Sequence, residues 1–209
     1  MTESRPTPSR EQIAELAPFE RLGLDRISVV STGAQAHQAL ADLEGASVLG
    51  FDTESKPTFQ KNEASEGPHV LQLATLEHAY VFQLHERVCR DALAQLLASE
   101  AVRKVGFGLG DDRRRIVSKL GVDLRGVLDL NEVFRRHGYR KDMGVRGATA
   151  VVFNQRFIKS RKATTSNWAN LRLSEAQVVY AANDAYAAIR VFTALGMTAD
   201  LGAAHGAGA

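Results

Sequence analysis

The residues best suited to chemistry form two short acidic motifs that lie far apart in the chain. The first is Asp52-Thr53-Glu54, which closely follows the apolar run 46–50, and the second comprises Tyr180 and Asp184 in an alanine-rich stretch. A carboxylate at the end of a buried strand is costly unless a partner neutralises it. Because one divalent metal ion neutralises several converging carboxylates, these motifs favour metal-assisted phosphoryl chemistry.

The spacing within each motif fits a shared site. Asp52 and Glu54 are two residues apart, so on a strand both side chains point to one face. Tyr180 and Asp184 are four apart, so on a helix they share a face, where the phenol can place a water molecule beside a metal. Each pair also has a simpler interpretation, because a D-x-E triplet is common and a Tyr–Asp pair is ordinary on a helix surface.

A third acidic pair, Asp111 and Asp112, is predicted to open a helix after a strand and the glycine-rich turn 106–110. The helix dipole favours acidic residues at this position. It does not favour the three arginines 113–115 that follow, and a bound anion would offset their charge. The turn has the spacing G-x-G-x-G, which is not the G-x-G-x-x-G of dinucleotide-binding sites.

Basic residues are concentrated in the middle of the chain. The net charge is only +2, but residues 102–162 contain 16 of the 26 Lys and Arg and 6 of the 24 Asp and Glu. Such a segment suggests contact with a polyanion, although a solvated surface is an alternative. The candidate nucleic-acid-binding residues are Arg113, Arg114, Lys159, Arg161 and Lys162.

The pattern of elements predicts one α/β domain with a mixed β-sheet flanked by α-helices. Ser174 and Gln177 form a capping-box pattern that starts a long final helix reaching about residue 195. We expect residues 1–23 to form a tail with a short helix over 11–21, the first nine being disordered. The domain would span 24–197, with a mobile loop at 55–68 and a basic loop at 154–167, before a disordered tail at 198–209.

Composition sets further limits. With 209 residues and 44% apolar residues, the chain fits a single globular domain. The single cysteine, Cys89, cannot form an internal disulfide. We find no apolar run near the ~20 residues of a membrane span and no secretory signal pattern. The expectation is a cytoplasmic protein without a membrane partner.

Taken in order, the motifs resemble the DEDD superfamily of 3′–5′ exonucleases, in its tyrosine subclass. The resemblance covers residues 48–195 and is carried by LGFDTE, VLQLAT, VGFGLGDD, SNW and YAANDAYAA. The motifs resemble the exonuclease domain of the Werner-syndrome helicase more closely than they resemble ribonuclease D. It implies a ribonuclease-H-like fold, two divalent ions (Mg²⁺ or Mn²⁺), a nucleic acid with a single-stranded 3′ end, and release of nucleoside 5′-monophosphates.

The resemblance also implies roles for individual residues. Asp52 would bridge both ions, Glu54 and Asp184 would complete the site of the attacking water, and Tyr180 would orient that water. Asp112, with Asp111 as the alternative, would support the second ion. The competing interpretation is a nucleic-acid-binding module of the same fold without catalysis. No residue can be assigned to a 2′-hydroxyl, so the sequence does not distinguish DNA from RNA.

Overall fold

The computed structural model describes residues 5–58 and 66–197. Its strands are β1 (Ala17–Pro18), β2 (Ile27–Val30), β3 (Val48–Glu54), β4 (Val70–Ala74), β5 (Ala79–Gln83), β6 (Arg103–Gly106), β7 (Val127–Asp129) and β8 (Gln155–Arg156). The central sheet has six strands in the order β2-β5-β4-β3-β6-β7. Strand β4 is antiparallel to both neighbours and the other pairs are parallel, so the predicted mixed sheet is confirmed.

Helices cover both faces of this sheet. They are α1 (Arg10–Ala14), α2 (Gly33–Asp42), α3 (Arg87–Ala98), α4 (Gly110–Leu120), α5 (Leu130–Arg136), α6 (Gly144–Phe153), α7 (Arg161–Thr164) and α8 (Glu175–Ala194), with a short 3₁₀ turn at Leu24–Arg26. One apolar cluster joins the sheet to α5, α6 and α8, and a second joins it to α2, α3 and α4. The capping box predicted at Ser174 and Gln177 is present at the start of α8.

Side-chain alternation along β3 decides what reaches each face. Leu49 and Phe51 belong to the cluster with α2, α3 and α4, whereas Val48 packs against the cluster with α8. Position 50 therefore faces α8, and its glycine permits a close approach. A Cβ atom at Gly50 would lie 2.0 Å from the carbonyl oxygen of Ala185. The even-numbered positions of β3 are thus held directly against α8.

The segment before residue 24 contributes to the core, although the sequence predicted a tail with a short helix. Phe19 and Leu22 are buried. The Leu22 amide donates to Asn183 Oδ1 at 2.7 Å, and Asn183 Nδ2 donates back to the Leu22 carbonyl at 3.2 Å. The helix is shorter than the predicted 11–21 because the chain turns into β1 and packs on α8.

The prediction of disorder for residues 1–9 is wrong for residues 5–9. The Arg5 amide donates to the Gly138 carbonyl, and Ser9 caps α1. Residues 1–4 and the tail 198–209 lie outside the described residues, as do residues 59–65 of the loop 55–68. The basic loop 154–167 contains β8 and α7, because Gln155 and Arg156 pair with β1. No helix among the described residues has the length and apolar character needed to cross a membrane.

Candidate active site

Three carboxylates meet where the end of β3 faces the middle of α8. One oxygen each from Asp52, Glu54 and Asp184 lies within 4.8 Å of the other two. Asp52 and Glu54 are partly exposed, whereas Asp184 is buried. The period of two in β3 and the close contact at Gly50 together produce this convergence. The sequence-based pairing of the first and third motifs is therefore present in the structure.

Like charges and burial make the cluster electrostatically unfavourable without a cation. Burial raises the pKa of Asp52 well above its usual value, and the charges of Asp184 and Asp112 raise it further. Burial, followed by the charges of Asp52 and Asp184, raises the pKa of Glu54 to about 9. Burial also raises the pKa of Asp184, although the ammonium of Lys159 opposes the shift. The cluster therefore favours either bound protons or a bound cation.

The oxygen atoms of Asp184 show that a divalent ion fits. Its Oδ1 is buried and has no hydrogen-bond partner among the described residues. Its Oδ2 accepts a hydrogen bond from Lys159 Nζ at 3.2 Å. Carboxylate oxygens are the ligands that Mg²⁺ and Mn²⁺ prefer. Asp52, Glu54 and Asp184 therefore form a suitable ligand set that includes one buried oxygen without a hydrogen-bond partner among the described residues.

Lys159 lies inside this site, although the sequence suggested only a phosphate contact from a basic loop. Besides its ion pair with Asp184, its Nζ is 3.4 Å from the Tyr180 hydroxyl and 5.5 Å from the centre of the Tyr180 ring. Burial lowers the pKa of Lys159, but the charges of Asp184, Tyr180 and Asp52 raise it more, so the net shift is upward. Lys159 is thus a charged ammonium within the carboxylate cluster.

Tyr180 occupies the position that the helical spacing predicted. Its ring packs against Trp168, with the ring centres 5.9 Å apart. Trp168 is 1% exposed, so it is a packing residue of the core and its ring is not free to stack on bases. Burial and the charge of Asp184 raise the pKa of Tyr180, so the side chain remains a neutral phenol. It can therefore both donate and accept a hydrogen bond beside Asp184.

Asp112 lies near the cluster but on the other side of the strand end. Its Oδ1 accepts a hydrogen bond from the hydroxyl of Thr53, whose side chain alternates away from Asp52 and Glu54. Burial raises the pKa of Asp112, which the Thr53 hydrogen bond and the charge of Arg115 oppose. Asp111 is exposed and forms an ion pair with Arg114. The helix thus directs Asp112, rather than Asp111, towards β3.

Asp129 holds the turn that precedes α4. Its two carboxylate oxygens accept hydrogen bonds from the amides of Gly108 and Leu109, at 3.1 and 3.0 Å. Gly108 has a φ of +72°, which an L side chain rarely adopts. These contacts fix the start of α4 and hence the position of Asp112. This role of Asp129 could not be predicted from the sequence, because Asp129 lies 20 residues beyond Leu109 in the chain.

The other predicted basic residues lie outside the cluster. Arg113 is exposed on α4, and Arg161 and Lys162 are exposed on α7. Arg115, which was not among the candidates, extends towards the site, with its Nη1 3.4 Å from the Ser55 hydroxyl. Its spacing of three from Asp112 places both residues on one face of α4, which was the available signal.

A cavity of about 290 Å³ opens beside the carboxylates. Its polar lining includes Asp52, Lys159 and Asp184, and its apolar lining includes Phe51, Phe107 and Met143. A larger groove of about 730 Å³ adjoins Ser47 and Val48, at the opposite end of β3. Of these two, the smaller cavity is the one that reaches the carboxylate cluster.

The mixed sheet, with carboxylates at the end of its central strand, defines a ribonuclease-H-like nuclease domain. Residues 27–199 match the family model described as 3′-5′ exonuclease. The chain therefore belongs to the 3′–5′ exonuclease family of the DEDD superfamily, whose members are hydrolases.

Curated relatives are similar over much of this chain. The bifunctional 3′-5′ exonuclease/ATP-dependent helicase WRN of Mus musculus is 29% identical over 161 residues, which are 76% of this chain and 11% of that protein. A 3′-5′ exonuclease of Arabidopsis thaliana is 26% identical, over 74% of this chain and 54% of that protein. Exonuclease 3′-5′ domain-containing protein 2 of Homo sapiens is 28% identical, over 90% of this chain and 32% of that protein. The chain thus spans between a tenth and about half of these relatives.

Solved structures agree in fold. The EXO domain of Aedes aegypti Nibbler superposes with a TM-score of 0.72 at 24% identity, covering 85% of this chain and 90% of that one. Trypanosoma brucei RNase D in complex with RNA U12 has a TM-score of 0.73 at 20% identity, covering 92% of this chain and 66% of that one. Escherichia coli RNase D has a TM-score of 0.69 at 17% identity, covering 81% of this chain and 44% of that one. At these identities the similarity establishes the ribonuclease-H-like fold alone.

Proposed function

We propose that this chain removes nucleotides from the 3′ end of DNA or RNA. It would hydrolyse the terminal phosphodiester bond and release nucleoside 5′-monophosphates with the help of two divalent ions, Mg²⁺ or Mn²⁺. The observation that carries this proposal is the convergence of Asp52, Glu54 and Asp184, with Asp184 Oδ1 buried and unpartnered among the described residues. Membership of the 3′–5′ exonuclease family supports the direction of attack.

The carboxylates have separate proposed roles. Asp52, Glu54 and Asp184 would hold the ions, because their oxygens converge. Asp112 would add negative charge to the same site, since it contacts Thr53 and stands apart from the other three carboxylates. When bound, the ions would lower the pKa of the attacking water and stabilise charge on the leaving 3′-oxygen.

Tyr180 supports assignment to the tyrosine subclass. Its pKa is raised, so its hydroxyl keeps its proton and can hold a water molecule in line with the phosphorus. The ring packs against Trp168, with the ring centres 5.9 Å apart, and this contact helps to hold it in place. Tyr180 would therefore orient the nucleophile by a hydrogen bond, without giving up its own proton.

The substrate is proposed to be a single-stranded 3′ end. Its phosphates would contact the exposed cations Arg113, Arg114, Arg161 and Lys162, with Arg115 nearer the acids. Contacts of this kind recognise the backbone rather than the base, so they fit DNA and RNA equally. One structural neighbour is a ribonuclease D solved with RNA, which makes RNA a substrate to test beside DNA.

The test is a digestion of 5′-labelled single-stranded DNA and RNA of equal sequence, with Mn²⁺, Mg²⁺ or EDTA. We expect a metal-dependent ladder that shortens from the 3′ end, nucleoside 5′-monophosphates as products, and no ladder with Asp52→Asn. A duplicate substrate with a blocked 3′ end should resist. Binding without shortening in any metal would instead support the non-catalytic nucleic-acid-binding module.

A further inference from the structure

Lys159 occupies a place that the carboxylate cluster would otherwise offer to a metal ion. Its Nζ pairs with Asp184 Oδ2 at 3.2 Å, and Asp184 is the most buried carboxylate of the cluster. The Lys159 side chain is 31% exposed, so its ammonium is partly shielded from water in this contact. A folded protein is strongly destabilised when a buried carboxylate loses its charged partner, so this ion pair stabilises the metal-free protein.

The Lys159 ammonium also contacts Tyr180, which offers it a second binding partner. Its Nζ lies 3.4 Å from the Tyr180 hydroxyl and 5.5 Å from the centre of the Tyr180 ring. A phenol hydroxyl accepts a hydrogen bond from an ammonium, and an aromatic face attracts a cation. Lys159 can therefore release Asp184 while keeping contact with Tyr180. Release of Lys159 would free Asp184 Oδ2 from the ammonium, and Oδ1 is already without a partner among the described residues.

We propose that Lys159 is the resident cation of the acidic site, and that a divalent ion enters by displacing its ammonium from Asp184. This inference rests on the proposed metal dependence of the site and adds an exchange step to it. In the metal-free protein the ammonium limits repulsion among Asp52, Glu54 and Asp184. On metal entry it competes for Asp184, so it lowers metal affinity while protecting the unloaded fold.

Two measurements on the full chain test this exchange without using activity. The first is the affinity for Mn²⁺ alone, by isothermal titration, and the second is the melting temperature in EDTA and in saturating Mn²⁺. For Lys159→Met we expect a lower melting temperature in EDTA, a larger rise on adding Mn²⁺, and Mn²⁺ binding that is about tenfold tighter. Lys159→Arg keeps the charge and should bind Mn²⁺ more like the wild type.

Lys141→Met is the matched control, because it removes one exposed positive charge from the loop before α6 and leaves the cluster intact. It should change neither quantity. Unchanged or weaker Mn²⁺ binding by Lys159→Met would overturn the inference, as would a wild-type protein that binds no Mn²⁺.

The oligonucleotide digestion separates this inference from the proposed function. Metal-dependent shortening by the wild type with unchanged Mn²⁺ affinity in Lys159→Met would contradict the exchange alone. Tighter Mn²⁺ binding by Lys159→Met in a protein that shortens no substrate would support the exchange and contradict the exonuclease.

Discussion

At the scale of single residues, Thr53 divides the end of β3 into two sides. Residues 52 and 54 face α8 and Asp184, whereas the Thr53 hydroxyl turns to the other side and donates to Asp112. The charge of Asp112 still reaches Asp52 and raises its pKa. Asp112 therefore influences the charge of the site, although it is not one of the three converging carboxylates.

Neutralising Asp112 should lower the turnover number, whereas neutralising its neighbour Asp111 should not. We expect Asp112→Asn to lower kcat by about 100-fold or more, since it removes a fixed charge that acts on Asp52. Asp111→Asn should remain close to wild type, because Asp111 is exposed and pairs with Arg114. Steady-state digestion of one oligonucleotide by both variants measures this. A larger loss in Asp111→Asn would show that Asp111 is the second-motif aspartate.

Removing the Tyr180 hydroxyl should affect turnover more than folding. The ring of a Tyr180→Phe variant keeps its packing on Trp168, so the melting temperature should change little. One hydrogen bond to the attacking water is worth about 1.4 kcal/mol, so kcat should fall about tenfold. Full activity in this variant would rule out a role for the phenol in orienting water.

Some of these positions could be predicted from the sequence, and others could not. Asp52 and Glu54 share one face because side chains alternate along a strand. Tyr180 and Asp184 share one face because residues four apart are neighbours on a helix. The loop before α7 has no such period, so nothing local indicated that Lys159 turns inward. Its direction is set by the charge of Asp184, which lies 25 residues further along the chain.

At the scale of elements, the contact between β3 and α8 forms the site. Gly50 and the buried residues Ala181, Ala182 and Ala185 let the strand and the helix lie very close together. The beginning of α8 could be predicted because its capping box is local. The packing of the N-terminal segment could not, because Asn183 fixes Leu22 from 161 residues away.

A single methyl group at this contact should damage both fold and activity. In Gly50→Ala the new Cβ would lie 2.0 Å from the Ala185 carbonyl oxygen, which forces the strand and helix apart. We expect a loss of about 1–3 kcal/mol in the free energy of unfolding, with weaker Mn²⁺ binding. Gly110→Ala in α4 is the control, since its Cβ would meet none of the described residues within 4 Å. Equal stability of the two variants in denaturant unfolding would contradict the proposed tight contact.

At the scale of the whole molecule, an acidic site lies within a chain whose middle segment is strongly basic. The acids disfavour a phosphate backbone, and the surrounding arginines and lysines attract it. Binding of substrate should therefore weaken with salt according to the number of phosphates engaged. The acidic site also makes the metal-free protein sensitive to pH, because burial and mutual repulsion raise the pKa values of its carboxylates.

The stability of the metal-free protein should fall as pH rises from 5 to 8. The pKa of Glu54 is about 9 in the folded protein against an ordinary 4.5, so between these values the folded state binds more protons than the unfolded state. Stability therefore decreases with pH, and the shift of Asp52 acts in the same direction. Urea unfolding in EDTA at several pH values measures the slope, which saturating Mn²⁺ should flatten.

Glu54→Gln is the control for this pH dependence and should reduce the slope in EDTA. The range ends at pH 8 because buried Lys104 has a pKa lowered to about 8, which adds stability as pH rises above that value. His69 opposes part of this slope, because burial lowers its pKa below the ordinary 6.5. A slope in EDTA that Glu54→Gln leaves unchanged would contradict the raised pKa values of the cluster.

Asp52, Glu54 and Asp184 are proposed to bind divalent ions together. The most direct measurement is anomalous X-ray scattering from a crystal of the full chain grown in Mn²⁺. We predict manganese peaks bounded by these three carboxylates, with the Lys159 ammonium withdrawn from Asp184. A cleft without manganese at saturating Mn²⁺, with Lys159 still paired to Asp184, would contradict the account.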